Sequence, residues 1–133
     1  MHSFAMKSLF CSVVEYLVYN NKGDEFVNVN RFARSVMAKS YDGESFLLHV
    51  AEVIERQLKE WDEAYEVIVM KLIDYEVVVK KENRSYELLL TEDALLSLKR
   101  KSPYALDRYL WLELEKQGLK IVRGNGDYIE SVM

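Results

Sequence analysis

Cationic and hydrogen-bonding side chains gather in the last third of this 133-residue sequence. Three consecutive cations precede a tyrosine and an arginine that are four residues apart, and a further arginine and an asparagine follow. Groups of this kind bind the phosphates and base edges of double-stranded DNA, and the phosphate contacts make the affinity salt-dependent. The set consists of Lys99, Arg100, Lys101, Tyr104, Arg108, Arg123 and Asn125. Its chemistry predicts a DNA-binding surface.

A strand and a short helix are predicted to place the three consecutive cations. The strand covers residues 86–90 and leads to Thr91, whose hydroxyl can accept hydrogen bonds at a helix start. Glu92 and Asp93 then suit the positive end of the helix dipole. The cations suit its carbonyl end, so the helix is predicted to end near Lys101.

A second helix is predicted to begin almost immediately and to cover residues 103–117. Ser102 is a suitable N-cap, and Pro103 suits the first helical position because its missing N–H is not needed there. Gly118 can adopt the left-handed conformation that closes a helix.

A β-hairpin is predicted after this helix. Residues 119–123 and 127–132 are strand-like and flank the turn sequence Gly-Asn-Gly.

The sequence SPYALDRYLWLELEKQGLKIVRGNGDY is similar to the recognition helix and wing of the winged helix-turn-helix superfamily, which includes many small archaeal, bacterial and viral regulators. The resemblance implies an α+β, mainly helical fold with a winged-helix domain at residues 62–133. It also implies a transcriptional regulator in which helix 103–117 enters the major groove, Tyr104 and Arg108 face base edges or phosphates, and wing 119–132 reaches the backbone or minor groove. Winged helices also serve as protein docking modules.

The preceding part, residues 1–61, is predicted to be helical. Asn28 or Asn30 can cap a helix that runs to about residue 39, and a turn at 40–43 leads to a longer helix. The inward side of the capped helix is predicted to consist of Phe32, Val36 and Met37. The order strand, short helix, turn, longer helix recurs about 62 residues later, which allows a second, degenerate helix-turn-helix unit.

The middle of the chain carries two interleaved sets of apolar residues, each with a spacing of seven. One set is Leu47, Ile54, Trp61, Ile68 and Tyr75, and the other is Ala51, Leu58, Tyr65, Leu72 and Val79. A heptad seam of this length is typical of a long helix that pairs with its counterpart in a homodimer.

Two other interpretations of the same stretch stay open. A break near Asp62, with Asp62 as the N-cap of a second helix, gives two helices that pack within one chain, and we favour a break there. Alternatively, residues 75–79 form a strand that pairs with residues 86–90 across a polar turn, because β-branched residues suit a strand.

Several residues favour a protein partner over DNA. Asp107, Glu113 and Glu115 lie on the predicted recognition helix and would repel phosphates, and Trp111 stands about one turn from Arg108. A tryptophan beside an arginine is typical of protein interfaces. The residues predicted for such an interface are Trp111, Trp61 and Tyr65, with Tyr104 and Tyr109 as further contacts. Alternatively, Trp111 packs under the wing or against the first half of the chain.

Charge and composition limit the other classes of function. Residues 1–79 hold 8 Lys and Arg against 13 Asp and Glu, a net charge of −5. Residues 80–133 hold 10 against 9, a net charge of +1. A polyanion is therefore expected to bind the second part of the chain. Cys11, His2 and His49 offer no zinc spacing, and no catalytic or cofactor motif is found.

We therefore expect no enzyme, no metal and no cofactor. With one cysteine no internal disulfide can form, which suits a cytoplasmic location. The apolar run at residues 9–14 is too short to span a membrane and predicts an amphipathic first helix.

Overall fold

The computed structural model describes residues 30–123 and 127–133. They form an α+β, mainly helical fold with five helices and a three-stranded antiparallel sheet, as the sequence predicts at this level. In chain order the elements are α1 (Arg31–Ser40), α2 (Gly43–Trp61), β1 (Tyr65–Lys71), β2 (Tyr75–Lys81), β3 (Arg84–Leu90), α3 (Glu92–Lys101), α4 (Ala105–Lys116) and α5 (Asp127–Val132). The predicted first helix, Asn28 and Asn125 lie outside the described residues.

The first described helix begins at Asn30, one of the two predicted caps, and the second begins at the predicted turn. The Asn30 side chain accepts a hydrogen bond from the backbone N–H of Ala33 at 2.9 Å, and the Asp42 carboxylate accepts one from Ser45 at 2.8 Å. Each bond satisfies a backbone N–H that has no partner within its helix. The starts of α1 and α2 are therefore confirmed.

The predicted inward side of α1 is wrong in two of its three positions. Phe32 is 79 % exposed and Val36 is 45 % exposed, whereas Met37 is partly buried against the core. The buried residue of α1 is Arg34. The helix is turned so that this guanidinium meets the buried carboxylate of Asp107.

The break at Asp62 is confirmed, but a strand and not a second helix follows it. Asp62 is the C-cap of α2, and its carboxylate contacts Lys81 on β2 at 2.9 Å. The strand that starts at residue 75 is confirmed, since Tyr75 pairs with Leu90 and Val79 with Tyr86. β-Branched residues occupy the middle of β1 and of β2, where they suit a pleated surface.

The single long helix implied by the heptad seam is therefore wrong. Residues spaced by seven share one face of a helix, but side chains alternate between the two faces of a sheet. Tyr75 thus faces the core beside Val69 and Val77, and Ile68 and Val78 lie on the opposite face of the sheet. The seam positions on α2 are buried in the core of the chain itself, which leaves them no surface for a second copy: Leu47, Ala51, Ile54 and Leu58.

Side chains bond individual backbone groups on both outer edges of the sheet. On the outer edge of β1, Glu55 accepts a hydrogen bond from the backbone N–H of Val67 at 3.0 Å. On the outer edge of β3, the Gln117 amide bonds the N–H of Glu87 at 3.2 Å and its carbonyl at 2.8 Å. Occupied edge groups resist pairing with a strand of another chain.

Helix α3 has the predicted bounds, with Thr91 as N-cap, whereas α4 starts later than predicted. Ser102 is not its N-cap, because the extended backbone of Ser102 closes α3. Pro103 and Tyr104 form a turn before α4 begins at Ala105. The predicted end is confirmed, and Gly118 has a φ of +106°.

The predicted wing is wrong. Residues 119–123 form no strand, and the second predicted strand is helix α5. Tyr128, Ile129 and Val132 are all buried, each at most 4 % exposed. Their spacing places them on one face of a helix, whereas a strand would send Tyr128 and Ile129 to opposite faces.

Candidate nucleic-acid interface

A groove of about 570 Å³ opens at the corner between α3 and α4. The end of α3 and the first half of α4 form its main walls, with contributions from the start of α1 and the end of α5. Helices α3 and α4 are consecutive, whereas α1 is distant from them in sequence, so the complete groove exists only in the folded chain.

Three cations stand among the described residues that line this groove. Arg31, Lys101 and Arg108 line it and are exposed. Among the described residues of the lining, none carries a carboxylate side chain. Cations that converge on a concave surface raise the local concentration of anions.

The start of α4 adds to this positive character. Ser102, Tyr104 and Ala105 line the groove, and no side chain of the described residues caps α4. The first backbone N–H groups of a helix carry partial positive charge and favour nearby anions. Cations and helix start therefore act in the same direction.

A buried network fixes the other side of α4. Arg34 donates to the Asp107 carboxylate and, at 3.3 Å, to the carbonyl of Pro103. The Tyr128 hydroxyl donates to the other Asp107 oxygen at 2.5 Å, and Trp111 Nε1 donates to the Tyr128 hydroxyl at 3.2 Å. The network joins α1, α4 and α5, which all contribute to the groove.

Burial controls the protonation of this network. It raises the pKa of Asp107, an effect that the charge of Arg34 opposes. Burial and the neighbouring Asp107 carboxylate raise the pKa of Tyr128 well above its ordinary value. Tyr128 therefore keeps its proton and acts as the donor to Asp107.

Three of the predicted DNA-binding residues line the groove: Lys101, Tyr104 and Arg108. Arg100 is exposed beside them on α3, and Lys99 is half-buried. Arg123 is exposed but stands in a segment without the predicted strand.

Tyr104 does not face outward as the resemblance implies. Its side chain is 5 % exposed and lies beneath two guanidinium groups, with the Arg34 Cζ 4.7 Å and the Arg31 Cζ 5.6 Å from the ring centroid. Its ring packs against the groove cation Arg31 and the buried Arg34 instead of being offered to a base.

The residues predicted for a protein interface are mostly interior. Trp111 is fully buried and packs against the first half of the chain, with 5.6 Å between its ring centroid and that of Trp61. Tyr65 is 8 % exposed, and Trp61 is partly buried. The prediction of an exposed tryptophan is wrong, and the alternative packing against the first half is confirmed.

The acids that oppose DNA binding are fewer on the surface than the sequence suggests. Asp107 is buried and paired with Arg34, so it does not meet solvent. Glu113 forms an ion pair with Lys116 at 3.1 Å. Glu115 is exposed on α4 but does not line the groove.

Sequence patterns miss Arg31, Tyr109 and Leu112 as groove residues, and Arg34 as the buried partner of Asp107. Tyr109 and Leu112 are apolar flanks of a helical stripe, which gives no sign that they face a groove. The contact of Arg34 with Asp107 spans 73 residues and leaves no local signal. For Arg31 the sequence gives only its position at the start of a helix, because it directly follows the capping residue Asn30.

Metal and membrane features were sought in the same part of the chain. Residues 30–123 and 127–133 contain no group of three His, Cys, Asp or Glu side chains placed to hold a metal ion. Of the helices described there, none combines the length and apolar character needed to cross a bilayer.

Comparison with family models, with curated proteins and with solved structures gave no match for this chain. The groove and its surroundings are therefore the basis for assigning a function.

Proposed function

We propose that this chain is a small cytoplasmic DNA-binding protein, a transcriptional regulator that binds duplex DNA at the corner between α3 and α4. The groove supports this proposal most directly, because Arg31, Lys101 and Arg108 converge there and its described lining has no carboxylate. A duplex presents closely spaced phosphates, and each neutralised phosphate releases condensed counterions.

The arrangement of α4 suits a recognition helix. Its buried face carries Leu106, Leu110 and Leu114, and the opposite side carries the exposed Arg108. The preceding α3 ends in three cations that can contact the DNA backbone while α4 approaches the bases. In this proposal the chain resembles a winged-helix domain only in the order of β3, α3 and α4. Residues 119–132 do not form a wing.

Salt-dependent binding tests the proposal. We expect Lys101→Ala combined with Arg108→Ala to weaken binding of a mixed-sequence duplex and to make the plot of log K against log salt shallower by about 2, at about 0.9 per lost phosphate contact. The measurement is fluorescence anisotropy at low and near-physiological salt.

Lys59→Ala combined with Lys80→Ala is the matched control. Both lysines are exposed and lie outside the groove, so this variant loses the same charge without losing phosphate contacts there. Equal slopes for the two double variants would contradict the assignment of the site. No binding by the wild-type chain at low salt would contradict the function.

The solution mass tests the second part of the proposal, a homodimer. Regulators of this type commonly bind paired half-sites as dimers. Because the α2 part of the heptad seam is buried, a dimer must use another surface. Mass measured by light scattering, with and without duplex, distinguishes a dimer from a monomer.

Exposed apolar residues favour a second candidate function, that of an interaction subunit of a larger complex. Leu72 and Ile73, at the turn between β1 and β2, are 76 % and 93 % exposed, and Leu89 on β3 is 69 % exposed. Large exposed apolar side chains mark docking surfaces when they are contiguous. Binding of a partner that is lost in Leu72→Ser with Ile73→Ser, and kept in the groove variant, would support it.

A further inference from the structure

The groove between α3 and α4 is more than a patch of positive charge. Besides its three cations it has an apolar wall made of Leu98 and Leu112, with the half-buried Tyr109 beside them. A DNA backbone that passes over the corner needs the cations only. Its apolar wall is therefore unexplained by contacts to duplex phosphates.

The size of the groove is that of a small-molecule site. Its volume of about 570 Å³ lies within the range of roughly 300 to 1,000 Å³ that is usual for ligand pockets. Such pockets combine apolar walls with a few polar groups that orient the ligand. Here the hydroxyl-bearing residues Ser102 and Ser131 stand among the apolar side chains.

We infer that the groove binds one unpaired nucleotide unit, with its phosphate at Arg31, Lys101 and Arg108 and its base against Tyr109 and Leu112. The inference rests on the proposed function for its site and goes beyond it in naming the ligand. Two guanidinium groups and an ammonium suit a phosphate, because the guanidinium fork matches its oxygens. Aromatic and apolar side chains accept a base of any sequence by stacking or packing.

The bound nucleotide unit can come from either of two sources, a free nucleotide or an exposed nucleotide of a nucleic-acid strand. Both present the same phosphate and base to the groove. A titration with deoxyadenosine monophosphate represents the first source, and one with a short oligodeoxyadenylate represents the second. Deoxyadenosine and inorganic phosphate, each used alone, represent the two halves of the ligand.

The test is a set of titrations of the full chain, labelled with ¹⁵N and observed by NMR. We expect deoxyadenosine monophosphate to shift the amide signals of Lys101, Arg108 and Tyr109, and to bind at least about tenfold more tightly than either half alone. If the strand is the source, the oligonucleotide binds more tightly than the mononucleotide and shifts the same signals. If the free nucleotide is the source, the two bind alike.

Three variants assign the halves of the site. Arg108→Ala should weaken mononucleotide binding by about tenfold or more, through loss of a charged contact. Tyr109→Ala should weaken it by several-fold, and Tyr109→Phe, which keeps the ring, should restore it. Lys116→Ala, on the same helix but outside the groove, is the control and should bind normally.

Inorganic phosphate that binds as tightly as the mononucleotide would overturn the inference, because the apolar wall would then contribute nothing. Absence of mononucleotide and oligonucleotide binding would also overturn it. If neither nucleotide probe binds but duplex binds with a steep salt dependence, the proposed function is supported and the inference is overturned. If the mononucleotide binds and duplex does not, the inference stands and the proposed function falls.

Discussion

At the level of single residues, the pair of Arg34 and Asp107 is an ion pair in the interior of the fold. Both side chains are at most 5 % exposed, and Asp107 also accepts the hydrogen bond of Tyr128. A buried pair adds little beyond a well-packed apolar pair, but removal of one partner leaves an uncompensated charge.

The first prediction concerns this pair. Asp107→Ala should lower the free energy of unfolding by about 3 to 5 kcal/mol, because the Arg34 guanidinium loses its partner in the interior. In a separate cycle, the double variant Arg34→Met with Asp107→Leu should lower it by less than the sum of Arg34→Met alone and Asp107→Leu alone. Urea unfolding of the two single variants and the double variant measures this coupling.

The exposed pair of Glu113 and Lys116 is the control for that cycle. Its lysine side chain is 73 % exposed, so Glu113→Ala should change the free energy of unfolding by less than about 1 kcal/mol. Additive effects of the Arg34 and Asp107 changes would show that the pair is not coupled.

His49 gives the second prediction at this scale. Its side chain is buried beside Tyr41, and burial, with Arg34 and Arg56 nearby, lowers its pKa to about 3. Because the unfolded chain then binds a proton more readily below pH 6.5, stability falls as the pH drops. The loss contributed by this group between pH 8 and pH 5 is about 2 kcal/mol.

Urea unfolding of wild type and His49→Gln at both pH values measures this contribution. The variant should lose about 2 kcal/mol less than wild type on going from pH 8 to pH 5. Carboxylates whose pKa is lowered, such as Asp42 and Asp62, lose their contribution only at lower pH, so they do not affect the comparison. An unchanged pH dependence would show that His49 is not buried in its neutral form.

At the level of elements, the end of α4 depends on a backbone conformation that few residues adopt. Gly118 has a φ of +106°, and an added Cβ would meet only the Arg84 side chain, at 3.6 Å. The space is sufficient, so any loss in a variant comes from the backbone. The neighbouring Gln117 also covers the edge of β3, which links the helix end to the sheet.

The third prediction follows from this conformation. Gly118→Ala should lower the free energy of unfolding by about 1 to 2 kcal/mol, since a Cβ disfavours positive φ. Gly118→Asn should lower it less, because asparagine tolerates positive φ better. Thermal and urea unfolding rank the stabilities of wild type and the two variants. Equal stability of all three would show that a Cβ at position 118 causes no backbone strain.

The elements also show what the sequence can and cannot predict. Helix starts at Asn30 and Thr91 were predictable because each cap is a local interaction between a side chain and a nearby backbone N–H. The start of α2 was predictable from the turn before it. Helix α5 was not, because the Gly-Asn-Gly turn signal indicated a hairpin and outweighed the helical spacing of Tyr128 and Val132. That spacing has meaning only against Trp111 and Asp107, which the sequence does not place nearby.

The same limit applies to the candidate site. Lys101 and Arg108 were predictable as a basic pair on successive helices. The inward orientation of Tyr104 and Asp107 was not, because it depends on Arg34, which approaches from a different helix. Local pattern thus identifies the cations, and tertiary contacts decide which side chains stand beside them.

At the level of the whole molecule, the groove combines the successive helices α3 and α4 with residues of α1 and α5. Helix α5 brings Ser131 and Val132 to the groove, and the Tyr128 hydroxyl, between Asp107 and Trp111, holds α5 against α4. A change inside the molecule should therefore alter the groove without altering its charge.

The last prediction separates shape from charge. Tyr128→Phe removes two buried hydrogen bonds and should lower the free energy of unfolding by about 1 to 3 kcal/mol. It should also weaken duplex binding while the salt slope stays that of wild type, because Arg31, Lys101 and Arg108 remain and the number of phosphate contacts is unchanged. Anisotropy titrations at several salt concentrations measure both quantities.

Thr91→Ala is the control that separates this effect from a general loss of stability. It removes the N-cap of α3 at the end far from the groove and should cost about 1 kcal/mol without changing affinity. A similar loss of affinity in both variants would show that binding follows global stability. A changed salt slope in Tyr128→Phe would show instead that α5 positions the cations themselves, because a displaced guanidinium no longer neutralises its phosphate.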